Sequence, residues 1–193
     1  ELLKNRMVIP FDGSLLELKH VIYHELVHVF INDGIYGGSL MNMVRSGNVR
    51  IPLWMNEGLA EYLAEKWSVN SDMWMRDISI NSEQFIDIPY LNGYLAYRGG
   101  QSVWKYITYK WGDECIAEIF NNIKKYGDTN KGIEYTLGVD IKELNKQWHT
   151  YLKKQYWPDI ENRDDIRDIA RQLTNHEELY NSYNIAPSIS PDG

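Results

Sequence analysis

The stretch Tyr23-His24-Glu25-Leu26-Val27-His28-Val29 constrains this chain more than any other. Two histidines four positions apart on a helix differ by about 6 Å of rise and about 40° of rotation, so both imidazoles leave one face. That spacing is a metal-binding bite. Zinc takes imidazole nitrogen at about 2.0 to 2.1 Å, and a catalytic zinc keeps three protein ligands and one position for water. Glu25 is turned about 100° from His24, which aims its carboxylate beside the ion rather than at it, where it can act as a base toward an activated water. Val21, Ile22, Leu26, Val27, Val29 and Phe30 make the helix apolar on most sides. This predicts burial, and buried histidines need partners. A lone buried histidine is usually a satisfied core residue; a pair at ligand spacing around a glutamate is harder to read that way.

A second stretch, Trp54-Met55-Asn56-Glu57-Gly58-Leu59-Ala60-Glu61-Tyr62, stands a loop's length further on. Pro52 suits a first helical turn, so a helix is expected from there to about Trp67, largely buried through Leu53, Trp54, Leu59, Ala60 and Leu63. Glu57 and Glu61 are four apart, and like charges at that spacing cost a few tenths of a kcal/mol unless a cation lies near them. Two readings follow. The pair can be solvated surface glutamates, or Glu57 can be a third metal ligand with Glu61 accepting the proton on the far nitrogen of a ligand histidine.

Turn and cap signals divide the remainder. Met7 to Phe11, entered from Arg6, reads as a short strand ending at Asp12-Gly13. Ser14 and Glu17 form a capping box for a helix from Leu15 to about Asn32, stopped by Gly34. Residues 34–50 read as a loop lining the cleft. A short helix capped by Ser71-Asp72 is expected to about Ile78, and Asn81 to Pro89 is read as irregular. A helix is expected from Gly93 to Gly112, with Gly99-Gly100 allowing close packing on a neighbour. Helices from Asp113 to Tyr126, Asn130 to Leu137 and Asp140 to Tyr156 complete a mainly α domain over residues 1–158. Residues 159–193, charged and then polar with prolines, read as a linker and the start of another module. His20 is read as a rim residue, because it lies about 12 Å along the axis from His28. His149 is read as a surface residue without a metal role, and His176 falls in the tail.

Composition closes off other classes. The net charge of −7 offers no basic field for nucleic acid. Cys115 is the sole cysteine, so no internal disulfide forms. No apolar run approaches the roughly 20 residues of a membrane span. The chain begins at Glu1 without an initiator methionine and reads as a piece of a longer protein.

Together, His24-Glu25-Leu26-Val27-His28 and the Glu57-bearing stretch resemble the gluzincins, zinc peptidases of the MA clan whose third ligand is a glutamate on a second helix. The metzincin pattern fails, since it needs glycine and histidine where this chain has Ile31 and Gly34. The Gly-Ala-Met-Glu-Asn motif of the clan's aminopeptidases is absent. Tyr94 to Val103 and Trp148 to Leu152 are similar to segments of bacterial peptidase-MA-like domains. Ala186 to Gly193, with its Ser-Pro-Asp-Gly, resembles the opening of a TolB-like β-propeller blade. The resemblance implies a mainly α (α+β) zincin-like fold with a short N-terminal strand region, Zn2+ on His24, His28 and Glu57, Glu25 as general base, Glu61 behind a ligand histidine, and a peptide or protein substrate. It implies an oxyanion donor on a later helix, Tyr97 before Tyr94, and a strand at Met7 to Phe11 bordering the cleft. It also implies a C-terminal propeller and a periplasmic or exported parent. The alternative it leaves open is a catalytically inactive zinc-binding module that docks a peptide or partner.

Overall fold

The computed structural model describes residues 7–11, 13–37, 49–81, 85–171 and 188. Described residues are overwhelmingly helical, and no strand occurs among them. The strand expected at Met7 to Phe11 is therefore corrected: residues 7–11 are irregular, and Val8 and Phe11 are exposed. β-branched residues favour a pleated surface only where a neighbouring strand completes the ladder, and none is present among the described residues.

Helix α1 runs Leu15–Tyr36, with the Ser14 hydroxyl accepting from the Glu17 amide at 3.2 Å. It passes through Gly34 and ends at Gly37, whose left-handed φ of 62° closes the last turn. Gly34 costs the helix about 1 kcal/mol relative to alanine. The burial of Ile35 and the Tyr36 hydroxyl bonded to the Val49 carbonyl at 2.8 Å outweigh that cost and carry the helix one turn further. The apolar girdle of α1 is only partly buried: Val21, Ile22 and Val27 are half-covered, while Tyr23, Leu26, Val29 and Phe30 are exposed. The expected cleft loop at 34–50 lies mostly outside the described residues.

Helix α2 (Leu53–Glu65) packs on α1 and on the later helix α4 (Tyr94–Trp111). Trp54, Met55, Leu59 and Ala60 face inward, whereas Leu53 and Leu63 are exposed, contrary to expectation. α2 stops at Lys66, which adopts a φ of 63° without being glycine. Helix α3 (Val69–Asn81) begins earlier than Ser71, because the Ser68 hydroxyl accepts from the Ser71 amide at 3.1 Å and acts as the cap. A 3-10 turn at Ile88–Tyr90 leads into α4 (Tyr94–Trp111), the central helix, ended by Gly112 at φ 87°.

The crossing of α2 and α4 is unusually close. A Cβ at Gly100 would lie 2.2 Å from the Trp54 carbonyl oxygen, and one at Gly58 would lie 2.3 Å from the Gly100 carbonyl carbon. Only glycine at both positions permits this approach, as the Gly99-Gly100 pair implies. Trp104 locks the same crossing by donating its indole N–H to the Met55 carbonyl at 3.0 Å. Fully burying a large apolar side chain contributes about 1.5 to 3 kcal/mol, and Met55 and Leu59 of α2 and Val103, Trp104 and Ile107 of α4 are all buried in one core cluster.

Helices α5 (Cys115–Tyr126), α6 (Thr129–Leu137) and α7 (Ile141–Tyr156) close the other side. Asp128 and Asp140 cap α6 and α7 with their side chains, but Asp113 does not cap α5, whose N-cap is Glu114 without a side-chain bond. Trp148 of α7 donates to the Ser102 hydroxyl at 3.1 Å and is buried in the core. His149 is not the surface residue expected: its ring packs on Phe85 and Trp148 and faces the Ile86 carbonyl at 3.3 Å. The chain forms two compact units, 1–158 and 159–193. The short helices α8 (Pro158–Asn162), which begins at the last residue of the first unit, and α9 (Ile166–Ile169) are described. The residues that resemble a propeller blade lie outside the described set, apart from the exposed Ser188. No described helix is long and apolar enough to cross a membrane.

Candidate metal centre

The middle of α1 and the first turns of α2 face one another. His24 and His28 project from α1 one turn apart, and Glu57 projects from α2 between them. His24 Nε2 stands 3.1 Å from His28 Nε2 and 3.2 Å from Glu57 Oε2, and His28 Nε2 stands 3.3 Å from that same oxygen. Three donor atoms thus form a nearly equilateral triangle, and these residues make a group able to hold a metal ion. All three side chains are nearly covered, at 12 to 16% exposure.

The electrostatics draw positive charge into that triangle. Burial alone would lower the His24 pKa, but the Glu57 and Glu61 carboxylates beside it push it up to about 9. Burial alone would raise Glu57, yet its bonds to His24 and His28 hold it down to about 2. Two imidazole nitrogens 3.1 Å apart and a carboxylate at the same distance are stable only with a proton or a metal cation among them.

Glu61 lies one turn after Glu57 and is buried. Its Oε1 is 2.9 Å from His24 Nδ1, though off the axis of a well-aligned N–H bond, so the contact is chiefly electrostatic. This arrangement assigns the proton of neutral His24 to Nδ1 and leaves the Nε2 lone pair for the triangle. His28 Nδ1 is buried without a hydrogen-bond partner among the described residues. His20 is not at a remote rim: its Nε2 reaches Glu61 Oε1 at 3.4 Å, which makes His20, His24 and Glu61 a second potential metal group. Arg98 Nη1, 2.9 Å from Glu61 Oε2, opposes a second cation there.

Tyr97 lies flat on His24, with ring centroids 6.1 Å apart and planes 13° from parallel. Burial first, then the charge of Glu57 and a hydrogen bond to it, then Glu61 and Glu25, all raise its phenol, which stays protonated and able to donate. Tyr94 is turned elsewhere: its ring packs on Trp74 at 4.8 Å, and its hydroxyl accepts from Arg98 Nε at 3.3 Å. Glu25 is half-buried next to His24, close enough to Tyr97 for its charge to act on the phenol. The structure thus gathers His24, His28, Glu57, Glu61 and Tyr97, keeps Glu25 beside them, and leaves Tyr94 out.

Arg98 is a functional candidate that the sequence does not mark, although it lies within the Tyr94 to Val103 segment. Its signal was indirect: Glu57, Glu61 and Glu65 at one-turn spacing require a cation on their face of α2.

The sequence profile of the peptidase MA superfamily matches residues 5–154, the span that holds α1 through most of α7. Neither a curated protein nor a solved structure matches the chain. The matched span covers most of the chain, and the two-histidine helix with its glutamate on a second helix is the gluzincin arrangement of that superfamily. This chain belongs to the peptidase MA superfamily, as a gluzincin-like domain with a metallopeptidase-like fold.

Proposed function

We propose that this domain is a zinc-dependent peptidase in which His24, His28 and Glu57 hold the ion and Glu25 is the general base. The observation that carries the reading is the donor triangle. Ligands about 2.0 to 2.1 Å from a tetrahedral zinc stand about 3.3 to 3.4 Å from one another. The three donor atoms, at 3.1, 3.2 and 3.3 Å, meet that requirement within a few tenths of an ångström. Two imidazoles and one carboxylate are also a donor set typical of catalytic zinc. Zinc, when bound, supplies the Lewis acidity that makes a water nucleophilic near neutral pH and polarises a peptide carbonyl.

The protein's own groups do the rest. Glu57 and the two histidines fix the centre between two helices. Glu61 holds His24 by its Nδ1 edge, so that Nε2 keeps its direction. Glu25 accepts a proton from the attacking water, whose oxygen joins the carbonyl carbon, and passes that proton to the nitrogen as the C–N bond breaks. Tyr97 donates a hydrogen bond to the carbonyl oxygen as negative charge gathers on it.

The test is casein or peptide-library cleavage by the wild type and by Glu25→Gln, with zinc content measured in both. Full zinc in each, with activity lower by about 10² to 10⁴ in the variant, supports the mechanism. Equal residual activity in both would sink the general base and leave a zinc-binding docking module as the better reading.

A further inference from the structure

Glu57, Glu61 and Glu65 stand one turn apart along a single face of α2, and all three are at least half-buried. A line of carboxylates in a covered site repels itself, and burying one without a partner is costly. One guanidinium answers this. Arg98 of α4, itself only 13% exposed, places Nη1 2.9 Å from Glu61 Oε2 and 2.7 Å from Glu65 Oε1. The same nitrogen lies 3.3 Å from Ser71 Oγ and 3.2 Å from Gln101 Oε1, but it carries only two hydrogens, and the two carboxylates are nearest. Gln101 is occupied in turn, donating its amide to the Lys66 carbonyl at 2.9 Å, at the strained residue that ends α2.

The consequence reaches the donor triangle through one carboxylate. With Oε2 held by Arg98, Glu61 has its other oxygen facing His24 Nδ1 at 2.9 Å, while His20 Nε2 stands 3.4 Å from that oxygen. We infer that Arg98 is a positioning residue for the metal centre, fixing Glu61 so that Glu61 in turn holds His24 in its ligand orientation; this rests on the zinc reading above. Without the guanidinium, Glu61 sits between two like charges with only imidazoles for company. It then turns toward solvent or takes up a proton, and the His24 ring loses the partner that aims it. Packing of α2 on α4 does not depend on the same bond, because Trp104 and the two glycines hold that crossing independently.

The experiment is a double-mutant cycle on the full chain: wild type, Arg98→Met, Glu61→Gln and the combined variant. Zinc affinity is measured by competition with a chromophoric chelator, and the visible spectrum of the Co2+-loaded protein reports ligand geometry. Arg98→Met should weaken zinc about 10- to 100-fold and alter the Co2+ bands, with far-UV circular dichroism unchanged. In the Glu61→Gln background the same substitution should change affinity by less than about twofold. Arg98→Lys, which keeps the charge, should restore part of the loss and takes the place of Arg98→Met in the cycle if the latter fails to fold. A zinc affinity unchanged in Arg98→Met and Arg98→Lys, or a full loss that persists without Glu61, overturns the inference while leaving the zinc site standing. Absence of zinc binding by the wild type overturns the functional reading itself.

Discussion

Tyr94 and Tyr97 are three positions apart on one helix, yet one packs on Trp74 and the other lies flat on His24. On the proposed mechanism, the second is the one placed to donate to an oxygen that develops charge beside the donor triangle. Tyr97→Phe removes that hydroxyl and keeps the ring stack. It should lower kcat by about 10² to 10³ with zinc affinity unchanged, read from steady-state kinetics and chelator competition. The grouping of the proposed ligand residues is legible because helical spacing is local: His24 with His28, and Glu57 with Glu61, each declare a shared face within one turn. Arg98 was not, since it lies 37 positions from Glu61 on another helix and no periodicity links them. His149 misled for a related reason: it is off its helix's apolar stripe, but the segment around Phe85 and Ile86 folds over it.

At the scale of elements, caps that act within three or four residues were readable, and ends decided by tertiary contact were not. Ser14 and Asp140 cap as their sequences announce, and Gly112 and Gly138 stop their helices at positive φ. Gly34 has the signature of a stop but is carried through by the burial of Ile35 and the bond from Tyr36 to Val49, neither of which lies within the reach of a helical turn. The strand at Met7 to Phe11 failed because strands need a partner that propensity does not supply. Of the Gly99-Gly100 pair, Gly100 packs on Gly58 of α2, whereas Gly99 faces the Leu91 side chain. Gly100→Ala drives a methyl to 2.2 Å from the Trp54 carbonyl oxygen, a backbone atom with nowhere to go. The substitution should cost about 3 kcal/mol or more, seen as a lower urea midpoint with an unchanged slope.

Across the whole molecule, the three proposed ligands come from α1 and α2, which an intervening stretch that includes residues 38–48 separates in sequence. On the proposed reading, zinc at about 100 times its dissociation constant stabilises the fold by about 2.7 kcal/mol. For a chain of this size that is a rise in Tm of about 5 to 10 °C over the chelator-treated protein, measured by calorimetry. Glu57→Ala should abolish the difference between the two conditions. The contact of Gly58 with Gly100 bears on how such a chain can change over generations. Neither glycine can be the first to mutate, since any side chain at either position must push α2 away from α4, and Glu57 moves with α2. Drift at two positions with no chemistry of their own is thereby tied to the spacing of three donor atoms, so the most silent residues in the domain are among the least free.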